Sequence, residues 1–317
     1  MAYARSRSYK SRGRRPIRTS RRGGVRKTKR RSYTGRKRTY RKNRSTKSLL
    51  NLTSRKKKNT MLQWANTSTS TGSSVTIGPG PYLINGSNGN QISLFCPSAM
   101  DLLQSSGTGN TIANMPERTA TTIFMRGYSE KMRIQTSSGI PWFWRRICFR
   151  AKNAVFTQFA SNDTPTQLNS GNTSFVDTSN GMERLYFNLT INASNNTLFN
   201  IQEVLFRGSV NRDWVDPQTA SIDTTRIDLV SDVRRTIRSG NASGTVKDCF
   251  TWFPCNKNIV YDDDESGDVE QTSYLSVKDK KGAGDMFIFD LFTPGTGAGA
   301  TDFLQLTSTS TTYWHEK

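Results

Sequence analysis

The sequence predicts an all-β protein, a single antiparallel jelly-roll sandwich with long loops, preceded by a disordered basic N-terminal arm. Three observations favour this fold. From Gln91 onward, short runs of alternating apolar and polar residues recur, and pairs such as Ser-Gly and Asn-Gly separate them as turns. Stretches with the period of an amphipathic helix are scarce, and no unit of roughly 20–50 residues repeats, which excludes a solenoid or propeller. One jelly roll fits the length, although periodicity alone does not distinguish it from another β-sandwich.

The first 58 residues form an arm of a single charge sign. They contain 16 arginines, 9 lysines and no acidic residue, and the first acidic residue of the chain is Asp101. Because the whole chain has a net charge of +22, residues 59–317 have a net charge of −3. The arm has too few apolar residues to offset the entropy lost on ordering, so we expect it to be disordered on its own. We place the border between the arm, residues 1–58, and the folded body, residues 59–317, after Lys58.

So dense a block of positive charge requires a polyanion. Its cations displace the counterions condensed on phosphates, which drives sequence-independent binding that weakens steeply with salt. Arginine engages phosphate with a planar fork of donors, and it outnumbers lysine in the arm. Tyr3, Tyr9, Tyr33 and Tyr40 lie between the cations, and aromatic rings beside cations stack on unpaired bases, which favours single strands. The alternative is a solvated tail that only keeps the protein soluble.

Two roles are predicted for the cations of the arm. The predicted nucleic-acid contacts are Arg5, Arg7, Arg12, Arg14, Arg15, Arg18, Arg21, Arg22, Arg26, Lys27, Lys29, Arg30, Arg31, Arg36, Lys37, Arg38, Arg41, Lys42, Arg44, Arg55, Lys56, Lys57 and Lys58. Three dense clusters also have the composition of nuclear import signals: Arg26, Lys27, Lys29, Arg30 and Arg31; Arg36, Lys37 and Arg38; and Arg55, Lys56, Lys57 and Lys58. Clusters that bind phosphate have the same composition, so one arm can serve import receptors first and nucleic acid later.

The body reads as a series of short strands. An apolar patch at residues 61–64 marks where the arm joins the first strand, and residues 67–74 are predicted as a loop. One short helical turn is predicted at residues 99–104. The most regular alternation is at residues 185–192, where the apolar side chains share one face. Further strands are predicted at residues 131–135, 142–150, 204–206, 235–238, 258–261 and 287–292.

Neither a secretory signal nor membrane insertion is expected. The N-terminus lacks an apolar segment, and no apolar run approaches the roughly 18 residues that span a bilayer. Cys96, Cys148, Cys249 and Cys255 are few and irregularly spaced, which is typical of reduced, mostly buried thiols in a cytosolic or nuclear protein. Zinc would need more ligands than Cys249 and Cys255 supply, since His315 is the only histidine. We therefore expect no cofactor.

Three stretches of the body, taken with the arm, resemble a viral protein family. The first is Arg-Gly-Tyr-Ser-Glu at 126–130, continuing through Ile-Gln-Thr at 134–136 to Pro-Trp-Phe-Trp-Arg-Arg at 141–146. The second is Ser-Gly-Asn-Ala-Ser-Gly at 239–244, followed by Asn-Lys-Asn-Ile-Val-Tyr-Asp-Asp-Asp-Glu at 256–265. The third is Gly-Asp-Met-Phe at 284–287, leading to Asp-Leu-Phe at 290–292. On these residues the chain resembles the capsid proteins of genomoviruses, small circular single-stranded DNA viruses that include fungus-infecting members.

The resemblance implies a jelly-roll subunit of a small icosahedral shell that packages one circle of single-stranded DNA. The chain is more distantly similar to geminivirus coat proteins. The implied partners are the single-stranded DNA genome, copies of the same chain and the import receptors of the host. The implied locations are the virion and the host nucleus.

The charge of the arm is consistent with a small shell. If sixty subunits close a T=1 shell, their arms bring about 1,500 positive charges inside it. That charge balances the phosphates of roughly one to two thousand nucleotides. A small circular genome has this size, and a larger shell would hold far more positive charge than such a genome supplies.

The strand at residues 142–150 allows two interpretations. In the first, Arg145 and Arg146 lie on the inner surface of the shell and contact DNA. In the second, Trp142 and Trp144 anchor the core or an interface, and the two arginines pair with carboxylates at a subunit contact. We favour the second, because consecutive residues of a strand point to opposite faces.

An acidic run, formed by Asp262, Asp263, Asp264 and Glu265, also allows two interpretations. Hard cations prefer oxygen-rich loops, so the three aspartates are candidate ligands for Ca²⁺ or Mg²⁺ at a subunit junction. The run lacks the spacing of a helix–loop–helix calcium site. That difference favours an exposed loop whose carboxylates pair with lysine or arginine of a neighbouring subunit.

No catalytic constellation is evident in the sequence, and we predict a protein that is not an enzyme. A single histidine excludes the metal-binding histidine pair of a rolling-circle replication initiator, and no Gly-x-Ser-x-Gly elbow is present. Two alternatives to a capsid protein are kept. One is a nuclease that uses paired carboxylates, and the other is a cellular nucleic-acid-binding protein of the chromatin or ribosomal kind. The near-neutral body argues against the second, because such proteins usually carry basic faces on smaller domains.

Overall fold

A computed structural model describes residues 45–169 and 171–317. The contacts and the disorder predicted for residues 1–44 lie outside these ranges. Thr46–Lys317 form one compact unit. Its α-helices and 3₁₀ turns within the described ranges are α1 (Thr46–Thr53), Gly86–Asn88, Ala154–Phe156 and α2 (Asn195–Leu205). Its strands are β1 (Arg55–Met61), β2 (Gln63–Thr67), β3 (Ser74–Pro79), β4 (Tyr82–Asn85), β5 (Gln91–Phe95), β6 (Thr122–Thr136), β7 (Trp142–Ala151), β8 (Val176–Thr178), β9 (Gly181–Tyr186), β10 (Asp228–Ile237), β11 (Val246–Val260), β12 (Asp264–Ser266), β13 (Val269–Gln271), β14 (Asp285–Pro294) and β15 (Phe303–Glu316).

Eight of these strands build a sandwich of two sheets. The first sheet has the order β1–β15–β6–β11, with the short β4 also paired to β15, and the second has the order β10–β7–β14–β5. Every neighbouring pair in both sheets is antiparallel. Numbered in chain order, the eight strands read 1-8-3-6 in one sheet and 5-4-7-2 in the other, which is the strand order of a jelly roll. The predicted all-β jelly-roll sandwich is confirmed.

The two sheets differ in how many of their faces are covered. The central strand of the second sheet, β14, buries eight consecutive residues, so both faces of that strand are covered. Its outer side packs against long insertions, where Phe289 meets Phe206, which follows α2, with ring centroids 6.0 Å apart. In the first sheet, β15 instead alternates between buried and accessible residues along most of its length. The first sheet therefore has one face in the core and one face toward solvent.

Most predicted strands are confirmed. The strands expected at 131–135, 142–150 and 287–292 lie inside β6, β7 and β14, and those at 235–238 and 258–261 coincide with the ends of β10 and β11. The loop expected at 67–74 runs from 68 to 73 between β2 and β3. Among the described residues, no helix is long and apolar enough to cross a bilayer.

Three local predictions are wrong. Residues 204–206 were expected as a strand, but they form the end of α2 and its cap, because a short apolar triplet carries no period of its own. The alternating run at 185–192 is a strand only to Tyr186. Beyond it, Asn188 keeps only an isolated bridge to Ser93 of β5, and the side chain of Asn66 bonds both the N–H and the C=O of Asn188. Residues 99–104 contain no helical turn.

The border between arm and body lies earlier in the chain than predicted. The compact unit begins at Thr46, and the predicted border after Lys58 falls in the middle of β1. This strand pairs with β15 along its whole length, from Arg55 opposite Glu316 to Met61 opposite Ser310. Its run of four cations resembled the arm because charge alone does not show that alternate side chains of a strand turn inward.

Candidate nucleic-acid interface

The four cations predicted at the end of the arm separate into inward and outward groups. Lys57 turns into the body, where its Nζ lies 3.3 Å from Oε2 of Glu316 and is almost completely buried. The same ammonium donates hydrogen bonds to the carbonyl oxygen of Glu117 at 2.6 Å and to Oγ1 of Thr119 at 3.2 Å. In the folded protein, Lys57 is therefore available neither to a phosphate nor to an import receptor. This corrects its predicted role in both.

The neighbouring lysines point to the opposite side. Lys56 and Lys58 are exposed and lie directly across from His315 and Tyr313 on β15. They therefore lie on the free face of the first sheet. Arg55 is also exposed, and its guanidinium donates to the carbonyl oxygen of Ile112. The import cluster of residues 55–58 is thus part of a strand, while the other two clusters lie outside the described residues.

More cations and several aromatic rings lie on this free face. We call the set the basic-aromatic face: Lys56, Lys58, Phe124, Arg126, Lys131, Arg133, Phe250, Trp252, Tyr313 and His315. Arg133 pairs with Asp248 at 2.9 Å, and both side chains are largely exposed. Within the described ranges, the other four lysines and arginines of the face have no carboxylate partner. The face is therefore strongly positive, although the body as a whole is not.

The aromatic rings of the basic-aromatic face contact one another in pairs. The rings of Trp252 and Tyr313 meet edge to face with centroids 5.6 Å apart, and those of Phe124 and His315 lie 5.9 Å apart. Gly127 lies below the indole, with a φ of +151°. A Cβ at this position would lie 2.3 Å from the carbonyl oxygen of Phe253 and 3.0 Å from the ring of Trp252. Only glycine lets the indole and the neighbouring strand approach so closely.

The pKa of His315 is affected by the positive charge of the face. Its pKa is lowered first by partial burial and then by the positive charges of Arg126 and Lys56. Arg126 also donates a hydrogen bond to Oδ1 of Asn256, in the irregular part of β11. These two cations lie on β6 and β1, the strands on either side of β15, so positive charge lies on both sides of the ring near the end of β15. An anion at this place would meet several positive charges at once.

The inward and outward lysines of β1 give a testable contrast. Replacing Lys57 with Ala is expected to lower the free energy of unfolding by about 3 kcal/mol, because it leaves the buried Glu316 without its cation. Replacing Lys58 with Ala should leave unfolding unchanged and weaken binding to nucleic acid. Chemical denaturation and a salt titration of DNA binding measure the two effects separately. Equal loss of stability in both variants would contradict the assignment of the two sides.

The structure favours the second interpretation of the strand at residues 142–150, in which its tryptophans anchor the core and its arginines pair with carboxylates. Trp142 and Trp144 are buried, and Arg145 donates to both carboxylate oxygens of Asp232 at 3.0 and 2.9 Å. Arg146 is buried with them. The arginines pair with carboxylates of the same chain, so the predicted contact with a neighbouring subunit is not needed to satisfy them. The alternative contact with DNA is excluded for both in the folded protein, because both side chains are buried.

Arg146 belongs to a closed network of buried charges. Its guanidinium lies 2.6 Å from Asp290 and 2.5 Å from Glu130, and Arg184 lies 3.2 and 2.8 Å from the same two carboxylates. The hydroxyl of Tyr186 donates to Glu130 at 2.9 Å. Burial alone would raise the pKa of Glu130, but the two guanidiniums hold it at about 2. The network joins β6, β7, β9 and β14, so it links strands of both sheets of the sandwich.

The acidic run does not assemble a metal site. Asp263 forms a buried ion pair with Arg118 at 2.6 Å, and Asp262 and Asp264 are exposed. Glu265 lies in β12, which forms an exposed hairpin with β13. Within the described ranges, no group of three or more His, Cys, Asp or Glu residues is placed to hold a metal ion. Asp263 thus has a partner in its own chain, which the sequence did not indicate.

The cysteines are all unpaired, and three of the four are buried. Burial raises the pKa of the Cys96 and Cys148 thiols. These positions are therefore buried, protonated thiols, which agrees with the sequence prediction.

The chain was compared with known proteins, and no protein-family model matches it. No curated protein matches it either.

Proposed function

We propose that this chain is a viral capsid protein that assembles into a small icosahedral shell and packages circular single-stranded DNA. The observation that carries the proposal is the joining of two parts. A jelly-roll body follows an N-terminal segment whose 21 cations before β1 are accompanied by no carboxylate. The resemblance to genomovirus capsid proteins supports the same proposal. The proposed role is structural and not enzymatic.

The proposed mechanism has three steps. Import receptors of the host bind the basic clusters before residue 46 and carry the subunit into the nucleus. The same cations then condense single-stranded DNA by releasing its counterions. Neutralised arms no longer repel each other, so body-to-body contacts close a shell, in the simplest case a T=1 shell of sixty copies. The mature location is the virion.

The earlier border of the body refines the charge balance. Sixty segments of 21 cations supply about 1,300 positive charges, still enough for the phosphates of a genome of roughly one to two thousand nucleotides. The inner face of the shell would add the free cations of whichever body surface lines it. A cellular chromatin or ribosomal protein remains the rival reading, and it requires no closed particle.

Electron microscopy of the purified full-length protein tests the proposal. With single-stranded DNA at moderate salt, we expect closed particles of one size that protect the DNA from nuclease. At high salt, where counterion release no longer drives binding, the particles should lose DNA or fail to form. Lone globular subunits in the presence of single-stranded DNA would overturn the proposal. Metal-dependent DNA cleavage that is lost when Asp262 and Asp264 are changed would support a nuclease instead.

A further inference from the structure

We propose that the basic-aromatic face binds unpaired bases directly and gives the folded body its own preference for single strands, in addition to the one predicted from the tyrosines of the arm. The inference deepens the proposed function and rests on it, since it names the form of nucleic acid that the body recognises. An arm of cations responds to the density of phosphate charge. Duplex DNA has the higher charge density, so counterion release alone favours the duplex. Selection of a single strand therefore needs a second kind of contact.

Stacking on aromatic rings is such a contact. Every unpaired base has a ring face, and an exposed aromatic side chain beside a cation binds it without reading its sequence. Phe250 is 60% exposed and Trp252 is 42% exposed, and the two rings lie side by side, so they form an apolar patch and are not single scattered surface residues. Both rings belong to β11, so they lie next to each other on the same side of one strand. A duplex keeps its bases stacked inside and cannot use them.

The cations stand where the phosphates of a stacked strand would pass. Lys131 lies directly across from Phe250, and Lys58 lies across from Tyr313, whose ring contacts Trp252. Arg126 occupies the irregular segment of β6 beside His315. Each ring of the face therefore has a lysine or arginine either on the adjacent strand or on the strand next to that one. This alternation of rings and charges follows the arrangement that single-strand-binding surfaces use.

Charge also decides between nucleic acid and a second copy of the chain. Two copies that meet through this face would bring five cations against five, with only Asp248 of each to offset them. Such a contact is repulsive, whereas a polyanion is attracted. Lys56 and Lys58 lie on β1, the first strand after α1, so this face begins close in sequence to the cationic N-terminal segment.

Substitution of the two exposed rings in the full-length protein tests the inference. Three probes are compared at one salt concentration: an oligothymidylate, a duplex of the same length, and inorganic polyphosphate, which has charge but no bases. Trp252→Ala and Phe250→Ala are each expected to lower affinity for the oligothymidylate about tenfold, and to leave affinity for the duplex and for polyphosphate unchanged. The matched control is Phe143→Ala on β7, because Phe143 is also 42% exposed but lies on the other sheet.

A fluorescence measurement keeps the test decisive if an alanine variant folds poorly. Trp252 is the most exposed of the six tryptophans, so a stacked base should quench the emission of the wild-type protein. Trp252→Phe keeps a ring over Gly127 and should remove that quenching. Equal loss of affinity for all three probes, or no loss for any, would overturn the inference. So would variants that bind oligothymidylate normally and fail only to assemble, which would make the face a subunit contact. Failure of the proposed function itself would appear differently, as absence of particles in the unsubstituted protein.

Discussion

Removal of residues 1–45 is expected to reduce affinity for single-stranded DNA by at least about a thousandfold at low salt, and to prevent packaging. The segment contains 20 lysines and arginines and no carboxylate. For single strands, the slope of log affinity against log salt is about −0.7 for each phosphate neutralised, so full engagement of the segment gives a slope near −14. The four free cations of the basic-aromatic face leave a slope near −3. A salt titration of both proteins measures this difference.

The place of the cut determines what the experiment reports. The compact unit begins at Thr46, so a protein of residues 46–317 keeps every strand. A cut after Lys58, as the sequence alone suggested, would remove half of β1 and the Lys57–Glu316 ion pair. Its failure to bind DNA would then reflect an unfolded sheet. A better control changes the cations of residues 1–44 to glutamine, which keeps the length and removes the charge. Unchanged DNA uptake by the shortened protein would remove the arm from the packaging mechanism.

The net charge of the body does not describe the charge of its separate surfaces. Its net charge of −3 suggested a surface with no attraction for nucleic acid. The structure separates the charges instead. Unpaired cations lie on the free face of the first sheet, and an acidic hairpin, β12 with β13, lies elsewhere on the surface. A near-zero sum is therefore compatible with a strongly positive face, because electrostatic attraction depends on the local distribution of charge.

The sequence was sufficient for the fold class and insufficient for the sites, and the reason is physical. Alternation within one strand is local, so β6, β7 and β14 could be predicted from their own residues. The buried charge network joins Glu130, Arg146, Arg184 and Asp290, which are up to 160 positions apart. Their pairing depends on which strands become neighbours in the sandwich. Nothing in the local pattern of any one strand marks its arginine as buried.

The basic-aromatic face was missed for a related reason. Its residues come from β1, β6, β11 and β15, so no continuous stretch of the sequence contains them. One signal was available. Phe250 and Trp252 lie two positions apart, so they share one side of β11, while the buried Phe253 and Cys255 lie on the other side, and two large exposed rings together form an apolar surface patch. The signal becomes specific only when the register places cations beside the rings.

Substitution of Asp290 with alanine is expected to lower the free energy of unfolding by about 3–5 kcal/mol. Asp290 accepts hydrogen bonds from Arg146, Arg184 and the indole of Trp144, and it is completely buried. Its removal leaves two guanidiniums in the core with one carboxylate between them, and the cost of burying an uncompensated charge is large. Chemical denaturation measures the change. The control is Asp248→Ala, which breaks the exposed pair with Arg133 and should leave unfolding nearly unchanged, because water and salt screen that pair.

The pH dependence of unfolding gives the same network a second test. Because the folded protein holds the pKa of Glu130 at about 2, below its value in an unfolded chain, the folded state binds fewer protons in that range. The stability that Glu130 contributes is therefore complete above a pH of about 4.3 and is lost as the pH falls toward 2. Glu130→Gln should flatten this part of the profile, and the unsubstituted protein should lose stability there. Two results would contradict this role of the buried charges. One is a wild-type profile that is already flat between these values, and the other is an Asp290→Ala variant as stable as Asp248→Ala. The sandwich would then depend on its apolar core alone.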